Sequence, residues 1–267
     1  MFRSAFPDRL DIAGTSIELL TRGAGRPLLF LHGGHGVDAG DALVERLAAA
    51  GHKVIVPSHP GFGASPRPPG VTGVDDLCHI YLDLMEALDL RDVVLVGVSF
   101  GAWIAAELAT MGTGRIRRLI LIDAVGVKVS DRETRDIADI FATTVEDIPS
   151  LFFHDPEKGK ALFHGFDFKN MTDAEVTRFV RNREALLLYG WSPTLYNPKL
   201  LGRLRRVNVP VLLLWGADDK VVGVEYGRRY AAAFKDAQFA VIGGAGHYGY
   251  LEQPDAFASH IDTFLAA

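Results

Sequence analysis

A chain of 267 residues has room for one large domain or two small ones, and it can bury roughly three quarters of its unfolded surface without covalent staples. Hydrophobic residues make up 48% and charged residues 23%, and a net charge of -5 argues against a nucleic-acid groove or an anionic membrane surface as partner. The single cysteine, Cys78, excludes an intrachain disulfide and offers no cysteine-based metal site. The amino-terminal stretch MFRSAFPDRLDIAG lacks the apolar run of a secretory signal, and runs such as VVLVGV are too short to cross a bilayer. The expectation is a cytoplasmic protein.

Leu10 to Ala13 and Ser16 to Leu20, around a Gly14-Thr15 turn, read as an antiparallel hairpin at a sheet edge. Six short apolar runs follow: Leu28 to Leu31, Lys53 to Val56, Val93 to Val96, Leu119 to Ile122, Val211 to Trp215 and Phe239 to Ile242. Continuous runs of this length suit strands buried on both faces, as in a parallel sheet. Between them lie stripes at helical spacing, Leu43, Leu47 and Ala50, then Leu77, Tyr81, Leu84, Met85 and Leu88. Strand alternating with helix predicts a mostly parallel α/β sheet covered on both faces. The rhythm breaks between Lys128 and Leu204, where charged helical stretches carry Phe152, Phe153, Phe163, Phe166, Phe168, Tyr189 and Trp191. A helical block inserted between two strands of one sheet predicts a cap, so residues 1–127 and 205–267 form the core and 128–204 the cap.

Chemistry concentrates at Gly97-Val98-Ser99-Phe100-Gly101, a G-x-S-x-G pattern with a strand run before it and a helical stretch, Ala102 to Met111, after it. A nucleophile in a sharp strand-to-helix turn needs neighbours nearly free of side chain, which Gly97 and Gly101 supply. The bland alternative is a tight turn whose serine caps the helix. Gly244-Ala245-Gly246-His247-Tyr248-Gly249 matches the dinucleotide fingerprint as a string, but only one helical stretch, Asp255 to Leu265, follows it. No metal-binding spacing appears, since His32 and His35 lie on a glycine loop without a third ligand.

The order of motifs resembles a capped α/β-hydrolase over nearly the whole chain. Leu31-His32-Gly33-Gly34 is similar to the family's oxyanion loop, and His59-Pro60-Gly61-Phe62-Gly63-Ala64-Ser65 to its PGFG-x-S segment. Trp215-Gly216-Ala217-Asp218-Asp219 resembles WG-x-x-D, while Gly246-His247 and Leu251-Glu252-Gln253-Pro254 resemble GH and LEQP. The resemblance implies Ser99 as nucleophile, His247 as base and Asp219 as the carboxylate that orients it. Family spacing prefers Asp219 to Asp218, and Asp123, after Leu119 to Ile122, stands as a third candidate whose plainer role is to cap the chain's turn into the cap. The amides of Gly34 and Phe100 are the implied oxyanion donors. His32 is expected to brace the oxyanion loop, and His52, His79 and His260 to lie on helix ends or faces.

His35, Trp191, Phe152 and Trp103 are candidate pocket residues, although each aromatic could equally belong to a packed core. A serine at the elbow speaks against the branches that use aspartate and leaves acyl transfer to water. A small, largely apolar carboxylic ester is the leading substrate class. The alternative is a carbon–carbon bond beside a carbonyl in aromatic ring-cleavage products, where Arg181 or Arg183 could hold a substrate carboxylate. That branch usually shows GNS and GHW where this chain has Gly97-Val98-Ser99 and His247-Tyr248, and it carries a GPG extension that His32-Gly33-Gly34-His35 lacks. A ligand-binding protein without catalysis is the remaining reading. No cofactor is implied, the partner is a small-molecule substrate rather than nucleic acid or membrane, and a homodimer is left open.

Overall fold

The structure, a computed structural model, describes residues 8–38, 40–144, 146–162 and 169–267. Phe163, Phe166 and Phe168 lie outside the described residues. Strand β1 (Asp8–Ile12) pairs antiparallel with β2 (Thr15–Arg22) through a turn in which Ala13 and Gly14 take positive φ, 47° and 72°. Then come β3 (Arg26–Leu31), α1 (Ala42–Ala49), β4 (His52–Pro57), α2 (Val74–Ala87), β5 (Val93–Val98), α3 (Phe100–Thr110) and β6 (Ile116–Ile122). Among the described residues, four α-helices follow before the next strand: α4 (Ile148–Phe152), α5 (Pro156–Leu162), α6 (Asp173–Gly190) and α7 (Leu200–Arg203). The chain closes with β7 (Val211–Gly216), α8 (Val224–Ala231), β8 (Ala237–Ile242), α9 (Gly249–Glu252) and α10 (Pro254–Ala266).

Among the described residues the strands form one eight-stranded sheet in the order β1-β2-β4-β3-β5-β6-β7-β8, parallel from β4 to β8. The central strands β5 and β7 are buried at every position, as strands covered on both faces must be. Edge strand β8 is only half-buried, because one of its sides has no further strand. Helix α3 is buried from Phe100 to Ala109, which its Ala- and Gly-rich sequence permits by letting it lie close on β5 and β6. The strand order turns at β3, with β4 on one side and β5 on the other. An open parallel sheet presents its binding crevice at such a reversal, beyond the carboxyl ends of the strands.

The segment between β6 and β7 departs from the helical expectation over residues 128–144. Asp131 accepts backbone N–H bonds from Glu133 and Thr134, Asp136 from Val129 and Ser130, and Asp139 from Phe141 and Ala142. Short acidic side chains that satisfy nearby amides offer the backbone an alternative to helix, and here that alternative wins.

Candidate active site

Ser99 sits at the carboxyl end of β5 with φ 51° and ψ -111°, a conformation a residue with a side chain rarely adopts. Its N–H is held by Ile122 O at 2.9 Å, and its carbonyl accepts from Ala102 and Trp103 at 3.1 Å, so the strained turn is pinned from both sides. The flanking glycines are required by contact distance. A Cβ on Gly97 would lie 2.5 Å from Gly101 O, and one on Gly101 would lie 2.1 Å from Leu31 O. The missing side chain at Gly101 therefore lets the start of α3 abut the loop after β3.

His247 follows β8 on a loop that crosses β7 at Gly216, where a Cβ would meet Gly246 O at 2.2 Å. His247 Nε2 lies 2.8 Å from Ser99 Oγ, and its Nδ1 lies 2.9 Å from Asp219 Oδ2. The other oxygen of Asp219 accepts from the amides of Val221 and Val222 at 2.8 and 2.9 Å, which fixes the carboxylate plane. All three residues are buried. The neighbouring carboxylate points elsewhere: exposed Asp218 meets His154 Nδ1 at 2.8 Å.

Asp123 lies at the end of β6 with φ 45°, wholly buried, and its Oδ1 accepts from Gly216 N at 2.7 Å. That bond ties the β6 and β7 ends together, in line with a structural role. Its Oδ2 has no hydrogen-bond partner, and burial, then the negative charge of Asp219, hold its carboxyl well above the usual carboxylate range.

Facing Ser99 across the strand ends is the loop Leu31 to Gly36. Phe100 opens α3, so its amide belongs to the first-turn N–H groups that have no intrahelical acceptor. Its ring turns into the core, stacked on Phe62 and Tyr189. Gly34 carries no side chain because Leu186 of α6 lies over it, its Cδ2 being 2.5 Å from where a Cβ would sit. A small cavity of about 60 Å³ is bordered here by Gly34, His35, Phe152, Arg183, Leu186 and Tyr248. Phe152 packs its ring edge-on against His247, with centroids 5.5 Å apart.

His35 also reaches the cavity, half-buried, with Nε2 3.1 Å from Tyr250 Oη. Burial, then the nearby His247, push its imidazole down to about 3, so it stays neutral through the physiological range. Helix α6 clamps the same region. Asn182 donates to His35 O at 2.7 Å and accepts from Gly63 N at 2.8 Å, and Tyr189 Oη donates to Pro60 O at 3.0 Å. Arg183 borders the cavity and donates to the carbonyls of Ile140 and Phe141.

Two expected pocket residues lie elsewhere. Trp191 is 62% exposed at the end of α6 and borders an outer groove with Lys128, Arg132 and Asp136. Helix α6 ends there, and its last turn carries the indole past the core. Trp103 is buried on α3, packed edge-on against Phe100, with its Nε1–H directed at Glu107. It borders an outer groove with Glu107, Tyr189, Tyr196 and Arg203, not the cavity beside His247.

Sequence reasoning gave no separate role to Glu252, which is buried within the LEQP stretch. Its carboxylate accepts from Gly246, Asp155 and His154 amides at 2.8, 3.0 and 3.1 Å. It thereby joins the His247 loop to the backbone between α4 and α5. The motif itself was the available signal: an acidic residue buried beside a catalytic-type loop needs donors, and backbone amides are the nearest.

The model of the alpha/beta hydrolase fold family matches residues 26–254. This chain belongs to that family. It is 28% identical to a 2-hydroxy-6-oxo-2,4-heptadienoate hydrolase of Pseudomonas putida, over 95% of this chain and 94% of that one. It is also 28% identical to a non-heme chloroperoxidase of Kitasatospora aureofaciens, over 88% and 89% of the two chains. Among solved structures, a meta-cleavage product hydrolase from Pseudomonas fluorescens superposes with TM-score 0.78 at 22% identity, covering 97% of each chain. An esterase from Thermogutta terrifontis gives 0.77 at 23% identity, covering 97% and 98%. At such identities the structural likeness speaks for the fold alone. No helix among the described residues is long and apolar enough to cross a membrane.

Proposed function

We propose that this α/β-hydrolase is a serine hydrolase that cleaves the carbon–carbon bond beside a ketone in a small dienoate bearing a carboxylate. The observation that carries the reading is the hydrogen-bonded line Ser99–His247–Asp219, with the Arg183 guanidinium in the wall of the cavity next to it. The relative acting on 2-hydroxy-6-oxo-2,4-heptadienoate, alike over nearly its whole length, supports this substrate class over a simple ester.

The dienol first moves its hydroxyl proton to C5, which leaves a ketone at C2 conjugated to one double bond. His247 takes the proton of Ser99 as Oγ adds to the C6 carbonyl, and Asp219 stabilises the imidazolium. The oxyanion meets the amides of Gly34 and Phe100, an interaction for which each donor typically contributes roughly 3 kcal/mol. Collapse breaks the C5–C6 bond, and its electron pair moves into the conjugated ketone. The proton from His247 neutralises that enolate and releases a 2-hydroxydienoate. Water, deprotonated by His247, then frees the acyl group as a carboxylic acid. Arg183 holds the substrate carboxylate, and the guanidinium's several donors leave it capacity beyond the Ile140 and Phe141 carbonyls. In this reading residues 128–204 form the cap, with Phe152, Arg183 and Leu186 as its contributions to the pocket, and no cofactor takes part.

A second reading, hydrolysis of a small apolar ester, is favoured by Val98 and Tyr248, which stand where the carbon–carbon branch usually carries Asn and Trp. Turnover of a 2-hydroxy-6-oxodienoate, followed by loss of its visible absorbance, separates the two when run beside an aryl acetate. The proposal expects turnover of the dienoate and a KM raised about tenfold or more by Arg183→Gln, with the aryl acetate KM unmoved. Turnover of the ester alone would hand the assignment to the second reading.

A further inference from the structure

Beneath the loop after β3 lies a pair of buried histidines whose protons the geometry assigns completely. The rings of His32 and His59 face one another with centroids 3.7 Å apart, and both residues are buried together with Tyr81 of α2. The backbone N–H of His59 donates to His32 Nε2 at 3.0 Å, so that nitrogen carries a lone pair and the proton of His32 is on Nδ1. His32 Nδ1 in turn donates to Gly33 O at 2.7 Å. His59 Nε2 faces His32 O at 2.9 Å, and a carbonyl only accepts, so His59 carries its proton on Nε2. The remaining nitrogen, Nδ1 of His59, accepts from the Tyr81 hydroxyl. Burial keeps both imidazoles neutral, with His59 pushed down to about 3.

One chain of donors, from the Tyr81 hydroxyl through the His59 ring, ends on His32 O, and a second, from the His59 N–H through the His32 ring, ends on Gly33 O. Gly33 O receives two bonds, from His32 Nδ1 and, at 3.1 Å, from Gly36 N. In a trans peptide the C=O and the following N–H point in opposite directions. Clamping the Gly33 carbonyl from below therefore fixes the Gly34 N–H on the opposite side. We propose that His59 and Tyr81 are positioning residues for the Gly34 amide, acting through His32 and the Gly33 carbonyl. The inference rests on the reading of Gly34 as an oxyanion donor. It extends the expected bracing role of His32 to a proton-ordered relay that begins on helix α2.

Two variants of His32 separate the relay from simple packing. An asparagine amide can occupy the place of Nδ1 and still donate to Gly33 O, whereas a glutamine reaches only the place of Nε2. Acylation of Ser99 by an aryl acetate should fall about tenfold in His32→Asn, which keeps the Gly33 bond but loses the acceptor for the His59 N–H, and about thirtyfold or more in His32→Gln, which loses the Gly33 bond itself. Tyr81→Phe should lower kcat about tenfold with little change in KM. Nitrogen-15 spectra of the histidine rings should show the proton on Nδ1 of His32 and on Nε2 of His59. The Gly34 amide resonance should shift in Tyr81→Phe and in both His32 variants, most in His32→Gln. The opposite ring protonation, equal losses in both His32 variants, or a Gly34 amide unmoved by Tyr81→Phe would overturn the relay. Correct ring protonation and a shifted Gly34 amide without any acylation of Ser99 would uphold the relay and remove the hydrolase reading alone.

Discussion

Replacing Glu252 by glutamine tests how the base loop is held, and its cost can be worked out from three bonds. Oε2 accepts from both Gly246 and His154, while Oε1 accepts from Asp155. A glutamine that keeps its carbonyl at the first position satisfies two amides and turns an NH2 toward the third, leaving donor against donor. One hydrogen bond to a charged group is lost and one part-buried N–H, that of Asp155, is stranded, together roughly 2–4 kcal/mol. Alanine strands all three and should cost roughly twice that, which approaches the whole stability of an ordinary domain. In a chain of this size about 1 kcal/mol corresponds to a shift of roughly 2–4 °C in Tm, so Glu252→Gln should melt roughly 4–16 °C lower by calorimetry. Because Gly246 adjoins His247, kcat should fall as well, while KM changes little. A Tm within about 1 °C of wild type, or Glu252→Ala no worse than Glu252→Gln, would refute the claim that this carboxylate joins the base loop to the α4–α5 segment.

Other expectations follow from the same geometry. Gly101→Ala should yield little folded protein, because its Cβ would lie 2.1 Å from Leu31 O, whereas Gly34→Ala presses only on the end of Leu186 and should fold nearly normally, as soluble yield and circular dichroism would report. Asp219→Asn should lower kcat about 10³- to 10⁴-fold by upsetting the His247 tautomer, and Asp218→Asn, whose side chain meets exposed His154, should stay within about twofold. Asp41 caps α1, and burial, reinforced by the nearby Asp38 and Glu45 carboxylates, pushes it up to about 7 against two opposing N–H bonds. Between pH 4 and 7 the folded protein holds a proton that the unfolded chain has released, so this residue's contribution is full below about pH 4 and is lost as pH rises through 7. Asp41→Asn keeps the cap and removes that slope, so urea unfolding should find it more stable than wild type at pH 8, by on the order of 2 to 4 kcal/mol, but not at pH 4.

Much of the fold was readable because a parallel sheet writes itself as unbroken apolar runs. Each of the six runs lies within a strand, from β3 to β8, and the Gly14-Thr15 hairpin forms at the sheet edge. The elbow was readable for a steric reason, since Gly97 and Gly101 sit where any Cβ would strike backbone. The choice between Asp218 and Asp219 needed more than spacing: the structure turns one to His154 and the other to His247. Residues 128–144 misled because helical composition does not reveal whether an aspartate will satisfy its own neighbours' amides. Trp191 and Trp103 border grooves other than the cavity beside His247, and hydrophobic mass alone does not specify which way a helix face turns. The His59–Tyr81 contact joins a loop to a helix, and nothing local in the sequence points from one to the other.

The central claim is that the Ser99 oxygen attacks carbonyl carbon once His247 accepts its proton. Intact-protein and peptide mass spectrometry after treatment with a fluorophosphonate tests it most directly. A single adduct on Ser99, abolished in Ser99→Ala and slowed at least a hundredfold in His247→Ala, is the predicted result. Absence of any adduct, or labelling that persists at another residue when Ser99 is replaced, would contradict the account.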